Sequence, residues 1–247
     1  MKVVGIIQAR MGSSRLPNKV LLPLGSNALL DYAYQRAKNV SLIDEVIVAT
    51  STNSRDDAIE QWAVENNGIV FRGSENDLLL RFADCAKKYN ADYIVRITGD
   101  CPFISYEMAN ELIAKTIQQQ SDYGYVNSGM IPIGLKVSII KSEVLFMLNE
   151  MLIHPTYREH ITLYIDEHLR KFKTTLLEPF EYMKHKNFRL TCDTNADYLF
   201  FETVVKELGD EILLPTEDIL SYLDEEPQIV AINNSVKQNS FLVKKGL

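Results

Sequence analysis

Short apolar runs alternate with amphipathic segments through the first half of the chain. Residues 3–7 form an apolar run that predicts a buried strand, and Leu29, Ala33, Ala37 and Val40 then recur at helical spacing. Strands that alternate with helices are typical of βαβ units and a mainly parallel sheet. The pattern predicts an α/β protein with strands at 2–8, 45–50, 69–71 and 93–97, and helices at 29–40, 54–67 and 76–89.

The second half of the chain is less regular. We predict one domain over residues 1–226, with a small substrate-binding or dimerisation extension around 123–180. Residues 227–247 have no strong period, so we expect an arm or a tail there. Further predicted elements are helices at 105–120, 142–152, 156–170, 195–208 and 216–224, and extended segments at 123–127, 133–140, 172–177 and 188–192.

Composition and charge exclude several classes of protein. The chain has 247 residues, of which 46% are hydrophobic and 24% are charged, as in ordinary globular proteins. Its net charge of −7 argues against nucleic-acid binding. The first apolar run ends at Arg10, too early for a membrane span. Cys85, Cys101 and Cys192 are far apart, which favours a reducing, cytoplasmic location over disulfides or a zinc site.

A small cationic loop follows the first predicted strand. Arg10, Gly12, Arg15 and Lys19 lie within the ten residues 10–19, just after its end. Ligands of open α/β sheets bind outside the carboxyl ends of the strands, and glycine lets backbone N–H groups approach an anion. The loop lacks the usual P-loop and dinucleotide-binding patterns. It is therefore interpreted as a polyphosphate-binding loop, and a merely solvated basic loop is the alternative.

Two aspartates are candidates for a metal site. Asp100 ends the fourth predicted strand, where a carboxylate can hold Mg²⁺ that also binds phosphates. Alternatively it stabilises a turn or caps the next helix. Thr98 occupies the first position of a possible D-x-D pair, which weakens a glycosyltransferase interpretation. Asp193 precedes a predicted helix, and Asp193 or Thr194 can equally be a helix N-cap.

The first loop and its flanks resemble a known family. Residues 6–21 are similar to the opening of the spore coat polysaccharide synthesis proteins, which resemble cytidylyltransferases that activate acidic sugars. The resemblance implies a three-layer, Rossmann-like nucleotide-diphospho-sugar transferase fold with a mixed, mostly parallel sheet. It also implies that Arg10, Lys19 and Asp100 are catalytic, and that Asp100 and Asp193 bind the metal. Implied nucleotide-binding residues are Ala9, Arg10, Gly12, Ser13, Arg15, Lys19, Thr50, Ser51, Thr52, Arg72, Gly73, Ser74 and Thr98.

Some of these positions also have purely structural explanations. Residues 50–53 can form a turn that leads into a capped helix. Asp77 and Arg81, four residues apart on a predicted helix, can form a surface ion pair.

The acceptor side is suggested by a second resemblance and by one departure. Arg158 and His160 match an Arg-Glu-His element of the family, so we assign them to the acceptor. Glu159 is explained by a capping box with Thr156. The family commonly has Gly-Leu-Asp-Val-Glu where this chain has Lys136 and Ser138 in place of the acids. A more positive pocket favours an anionic acceptor, either a sugar acid or a phosphorylated small molecule.

The sequence thus predicts an Mg²⁺-dependent enzyme that transfers CMP from CTP to this acceptor and releases pyrophosphate. Cell-surface polysaccharide synthesis and a homodimer are expectations from the resemblance. One alternative is a nucleotidyltransferase or glycosyltransferase that uses another nucleotide. The other is a nucleotide-binding homologue without catalysis.

Overall fold

A seven-stranded mixed sheet forms the centre of the computed structural model, which describes residues 1–237. The strands are β1 (Val3–Gln8), β2 (Pro23–Leu24), β3 (Asn27–Ala28), β4 (Glu45–Ser51), β5 (Ile69–Gly73), β6 (Tyr93–Thr98), β7 (Tyr123–Val126), β8 (Ser138–Lys141) and β9 (Thr174–Leu177). The sheet order is β5–β4–β1–β6–β8–β7–β9, while β2 and β3 form a separate hairpin. Only β8 runs antiparallel to its two neighbours. The predicted mixed, mostly parallel sheet is confirmed.

Helices cover both faces of the sheet. Along β1, Val3 and Ile7 pack into one hydrophobic cluster, whereas Val4 and Ile6 pack into a second cluster on the other face. Burial of both faces is typical of three-layer α/β proteins and explains the continuous apolar run. The helices are α1 (Leu29–Lys38), α2 (Asp57–Glu65), α3 (Leu78–Lys88), α4 (Tyr106–Gln118), α5 (Ser142–Met151), α6 (Pro155–Glu159), α7 (Leu163–Glu167), α8 (Asn195–Leu208), α9 (Thr216–Glu225) and α10 (Pro227–Val230).

The predicted helix at 156–170 is wrong, because the chain forms two short helices, α6 and α7, instead. The predicted capping box is also absent. His154 is the N-cap of α6, and its Nδ1 atom accepts a hydrogen bond from the backbone N–H of Thr156 at 3.3 Å.

The extended segments on either side of this region differ from the prediction as well. Residues 188–192 form a single bridge between Ile133 and Arg189 rather than a strand. Within 133–140, only the last residues join the sheet, as part of β8. Gly134 has a φ of 102°, and a Cβ there would lie 1.9 Å from the carbonyl oxygen of Leu190. Only glycine permits this close approach, and its positive φ turns the chain out of the extended conformation of a strand.

The C-terminal segment packs on α8 as far as the structure describes it. Ile229 is buried, and the side-chain amide of Asn233 donates to the carbonyl of Arg189 at 2.9 Å and to Asp197 at 3.1 Å. The rest of the predicted arm, residues 238–247, lies outside the described residues. Among residues 1–237, no helix combines the length and apolar character needed to cross a membrane.

Candidate active site

A cavity of about 660 Å³ opens beyond the carboxyl ends of β1 and β6. Six Lys and Arg side chains and five Asp and Glu side chains line it, a local excess of cations in a chain of net charge −7. Its walls come from the loop after β1, the end of β6, the segment before α8, and the segments around 131–136 and 159–166. The sequence-predicted residues that line the cavity are Ala9, Arg10, Gly12, Ser13, Arg15, Lys19, Thr98, Asp100, Lys136, His160 and Asp193.

A buried carboxylate anchors the loop after β1. Asp56, at the start of α2, accepts hydrogen bonds from the backbone N–H of Met11 at 2.8 Å and of Ser51 at 3.1 Å. Burial alone raises the pKa of Asp56, but these bonds and the Ser51 hydroxyl outweigh it and lower the pKa. The ionised carboxylate thus ties the loop to the end of β4. Asp56 was missed by the sequence analysis, which treated it as part of a helix start.

Lys19 lies where three separate parts of the chain meet. Asn18, in the left-handed conformation with φ of 60°, precedes a short 3₁₀ helix that begins at Lys19. The Lys19 Nζ atom is 2.5 Å from Oδ2 of Asp100 and 2.8 Å from Oδ1 of Asp193. Burial lowers the pKa of Lys19, but the two carboxylates outweigh it and raise the pKa above the ordinary value. The ammonium group therefore stays charged.

Asp193 is surrounded by cations. Besides Lys19, Arg15 approaches its carboxylate at 3.0 Å and Arg189 at 2.9 Å. Burial acts to raise the pKa of Asp193, but Lys19, Arg15 and Arg189 hold it below its ordinary value. Asp193 is therefore an anion, and it faces the cavity with Arg15 and Lys19 of the cationic loop.

Asp197 fixes the orientation of Asp193. The fully buried Asp197 carboxylate accepts from Arg189 Nε at 2.8 Å and from the backbone N–H groups of Asp193 at 3.0 Å and Thr194 at 2.9 Å. In return, the Thr194 hydroxyl accepts from the backbone N–H of Asp197 at 3.3 Å, so Thr194 is the N-cap of α8. The capping alternative therefore applies to Thr194 and leaves Asp193 for the cavity. The spacing of Thr194 and Asp197 is a sequence signal that could have identified this cap.

Asp100 and Asp193 together fit a magnesium site completed by phosphates. The N-cap of α4 is Ser105, so Asp100 does not cap that helix. Among residues 1–237, no group of three or more His, Cys, Asp or Glu side chains could hold a metal. Mg²⁺ usually binds through one or two carboxylates, with water and substrate phosphates as its other ligands. Two carboxylates beside a cationic loop match that requirement.

Another part of the cavity has a different set of charges. Arg96, Lys136, His160 and Asp166 line it. The Lys136 ammonium donates to the Ser128 hydroxyl at 2.6 Å. Burial lowers the pKa of Lys136 and of His160, and it raises the pKa of Asp166. Arg96 and Asp166 were not predicted from the sequence, although a single arginine in the apolar run of β6, two residues before Thr98, was a usable signal.

Eight predicted site residues do not line the cavity. The acceptor assignment of Arg158 is not supported, because its guanidinium pairs with Asp77 at 2.5 Å and donates to the carbonyls of Asn149 and Leu152. Ser138 is buried in the ladder between β6 and β8. The nucleotide-binding predictions outside the lining are Thr50, Ser51, Thr52, Arg72, Gly73 and Ser74.

Three of these residues have structural roles instead. The Ser51 hydroxyl is bonded to Asp56, and the Ser74 carbonyl accepts from Arg81 at 2.8 Å. Arg72 pairs with Asp57 at 2.7 Å.

The alternative of a surface ion pair between Asp77 and Arg81 does not apply, because the two side chains have other positions and partners. Asp77 is the N-cap of α3 and pairs with Arg158. Arg81 is 3% exposed and lines the cavity, and its Nε atom has no hydrogen-bond partner among the described residues. Arg81 thus belongs to the cavity rather than to the surface.

A three-layer α/β fold with a cationic loop and paired carboxylates at the carboxyl ends of its strands defines a nucleotide-binding protein. The family model for cytidylyltransferases matches residues 4–244, and the chain belongs to this family. The spore coat polysaccharide biosynthesis protein SpsF of Bacillus subtilis is 34% identical to it over 91% of this chain and 95% of that protein. The predicted family and enzyme class are confirmed.

Solved structures agree with this family. A cytidylyltransferase from Leptospira borgpetersenii serovar Hardjo-bovis is 33% identical, with a TM-score of 0.87 over 97% of this chain and 99% of that one. CMP:2-keto-3-deoxy-manno-octonic acid synthetase, solved with CTP, is 17% identical, with a TM-score of 0.63 over 85% and 100% of the two chains. The second likeness shows the fold alone, and that fold is the predicted one.

Proposed function

We propose that this protein transfers CMP from CTP to an anionic small-molecule acceptor and releases pyrophosphate. The observation that carries the proposal is that the carboxylates of Asp100 and Asp193 both lie within 2.8 Å of the Lys19 Nζ atom. It joins the cationic loop to the two carboxylates that fit Mg²⁺. A CTP triphosphate and its metal need these two kinds of group side by side.

The reaction needs positioning and charge neutralisation rather than covalent catalysis. An acceptor oxygen attacks the α-phosphorus of CTP, and the bond from that phosphorus to the oxygen bridging to the β-phosphorus breaks, so that pyrophosphate leaves. Arg10, Arg15 and Lys19 would hold the phosphates, with backbone donors from Gly12 and Ser13. These side chains would also stabilise the charge that develops on the leaving pyrophosphate.

Further binding roles are assigned by position in the cavity. Ala9 and Thr98 would contact the nucleotide, since both border the loop and the end of β6. Asp100 and Asp193 would hold Mg²⁺, which when bound supplies positive charge to the triphosphate.

The biological role is proposed from the relatives. The Bacillus subtilis relative is named as a spore coat polysaccharide biosynthesis protein. We assign this chain to the synthesis of a cell-surface polysaccharide on that basis. Homodimerisation stays a prediction, to be checked by light scattering.

The test is pyrophosphate release from CTP, UTP and GTP, with Mg²⁺ and a panel of sugar acids, phosphate esters and neutral polyols. Mass spectrometry of the product identifies the CMP adduct. We expect release with CTP only, and a fall of about 10²–10³-fold in rate for Asp100→Ala, by analogy with the loss of other charge-stabilising groups. The matched control is Asp84→Ala, which removes an exposed carboxylate on α3.

Three results would contradict the proposal. Near-wild-type turnover by Asp100→Ala at saturating CTP and Mg²⁺ would remove Asp100 from the site. Release from UTP or GTP in preference to CTP would assign another nucleotide. Thermal stabilisation by CTP without turnover of any acceptor would indicate a nucleotide-binding protein without catalysis.

A further inference from the structure

Arg96 is half-buried in the wall of the cavity and has no hydrogen-bond or ion-pair partner among residues 1–237. Its Nε atom is buried, and the guanidinium makes no hydrogen bond or ion pair within residues 1–237. Arg10 and Arg170 also lack such partners, but both are exposed to water. A shielded donor without a partner loses about 1–3 kcal/mol in desolvation, so native structures rarely leave one unused. The unpaired donors of Arg96 therefore indicate a ligand.

Lys136 supplies a second incompletely used cation on the same wall. Its ammonium has three N–H donors, and one of them is bonded to Ser128. Ser138, two residues after Lys136, lies opposite Arg96 in the ladder between β6 and β8, and both cations line the cavity. Burial lowers the pKa of Lys136 and the charge of Arg96 lowers it further, against the opposing effect of Asp166. Two neighbouring cations with free donors make a site for an oxyanion.

Asp166 acts electrostatically on both cations but forms an ion pair with neither among the described residues. Its carboxylate accepts a hydrogen bond from the Tyr123 hydroxyl at 2.9 Å and makes no ion pair within the described part of the chain. Glu159 and Asp166 also line the cavity, but neither forms an ion pair with Arg96 or Lys136 among the described residues.

We propose that Arg96 and Lys136 bind the acidic group of the acceptor and so restrict this enzyme to acceptors that carry a carboxylate or a phosphate monoester. The assignment to the acceptor rests on the proposed function, which gives the cationic loop, Asp100 and Asp193 to CTP and its metal and leaves Arg96 and Lys136 for the acceptor. An arginine fork matches two oxygens of either group, and the lysine adds a second charge-assisted bond. Arg96 is two residues before Thr98 on β6, so both side chains lie on the same face of the strand.

The first test measures anion binding directly. Inorganic phosphate and acetate are titrated separately into the full chain at saturating CTP without Mg²⁺, so that the cationic loop is already occupied. We expect Arg96→Met and Lys136→Met each to weaken binding of the preferred anion by about 10- to 100-fold, as for the loss of a charge-assisted bond. Arg170→Met, which removes an exposed arginine outside the cavity, is the matched control and should bind as wild type.

The two anions distinguish the two sources of the acidic group. Stronger binding of phosphate, lost in the variants, assigns phosphate monoester acceptors. Stronger binding of acetate, lost in the variants, assigns sugar acids or related carboxylates. If neither anion binds wild type, or both variants bind the preferred anion as wild type does, the proposal is overturned.

A second measurement separates this proposal from the proposed function. Stabilisation by CTP should be unchanged in Arg96→Met, while the KM of the acidic acceptor rises and that of a neutral analogue does not. Turnover with an unaltered acceptor KM in both variants would overturn the anion site and leave the function intact. If anion binding requires Arg96 and Lys136 but no acceptor is turned over, the anion site would be supported and the proposed function would be wrong. If Arg96→Met does not fold, as judged by circular dichroism, the same measurements on Lys136→Met decide the matter.

Discussion

Replacement of Lys19 by methionine removes the ammonium group that joins Asp100 to Asp193. The side chain of Lys19 is 11% exposed, and those of Asp100 and Asp193 are 25% and 19% exposed. Removal of one member of a buried ion pair costs about 3–5 kcal/mol. Asp193 keeps Arg15 and Arg189, and water partly screens Asp100, so we expect a smaller loss, about 2–3 kcal/mol in the free energy of unfolding.

The same variant should acquire a response to Mg²⁺. In the wild type, the Lys19 ammonium lies between the two carboxylates and competes with a divalent cation there. Without it, Asp100 and Asp193 repel each other, and a hard cation with oxygen ligands relieves that repulsion. A cation present at ten times its dissociation constant adds about 1.4 kcal/mol of stability. We therefore expect MgCl₂ to stabilise Lys19→Met and to leave the wild type nearly unchanged.

Urea unfolding with and without MgCl₂, at matched ionic strength, measures both effects. Lys115→Met is the control, because Lys115 is an exposed residue of α4 that lies 3.9 Å from Glu111. It should change stability by about 0.5 kcal/mol or less. A Lys19→Met protein as stable as wild type, or one that responds to MgCl₂ no more than wild type does, would refute the role of Lys19 at the carboxylate pair.

Three further predictions concern residues around the cavity. Gly134→Ala should lower the free energy of unfolding by about 3 kcal/mol or more, since its φ is 102° and the new Cβ would lie 1.9 Å from a carbonyl oxygen. Gly129→Ala is the control, and equal urea midpoints for the two variants would contradict this prediction. Burial acts to raise the pKa of Asp193, but its cations lower it in the folded protein, so its contribution is full above the unfolded pKa of about 3.9 and is lost as the pH falls through the folded pKa. Asp193→Asn should therefore be less stable at pH 7 and lose less stability on acidification, and parallel pH curves would speak against it. Arg158→Met should lower the melting temperature by breaking the 2.5 Å pair with Asp77, without a change in acceptor KM; a raised KM at an unchanged melting temperature would return Arg158 to the acceptor site.

The part of the cavity that we propose binds the nucleotide could be predicted from the sequence, because its residues come directly after predicted strands. Arg10 and Lys19 follow β1, and Asp100 follows β6. Adjacent parallel strands bring their carboxyl ends to one edge of the sheet, so the two segments had to meet. In the pairing of β1 with β6, Gln8 lies opposite Thr98, and this last pair of residues lies at that edge.

The other wall could not be predicted in the same way, because it depends on irregular segments. Lys136 follows the turn at Gly134, where the chain passes close to Leu190, and no local pattern encodes that contact. Arg158 illustrates the same limit. Its guanidinium binds backbone carbonyls at the end of α5, and the sequence does not show that those carbonyls are free to accept.

The two walls of the cavity differ in what a ligand must replace. Where we propose that CTP binds, Lys19 and Arg15 already pair with carboxylates, so phosphates would bind there in exchange for existing ion pairs. Where we propose that the acceptor binds, Arg96 has no partner to give up among the described residues, so an anion would gain its full contact. Salt screens exposed charges more than shielded ones. Rising ionic strength should therefore weaken CTP binding near the half-exposed Arg15 more than it weakens anion binding at Arg96. The salt dependence of each ligand would then follow the exposure of the cations that bind it rather than the charge of the ligand.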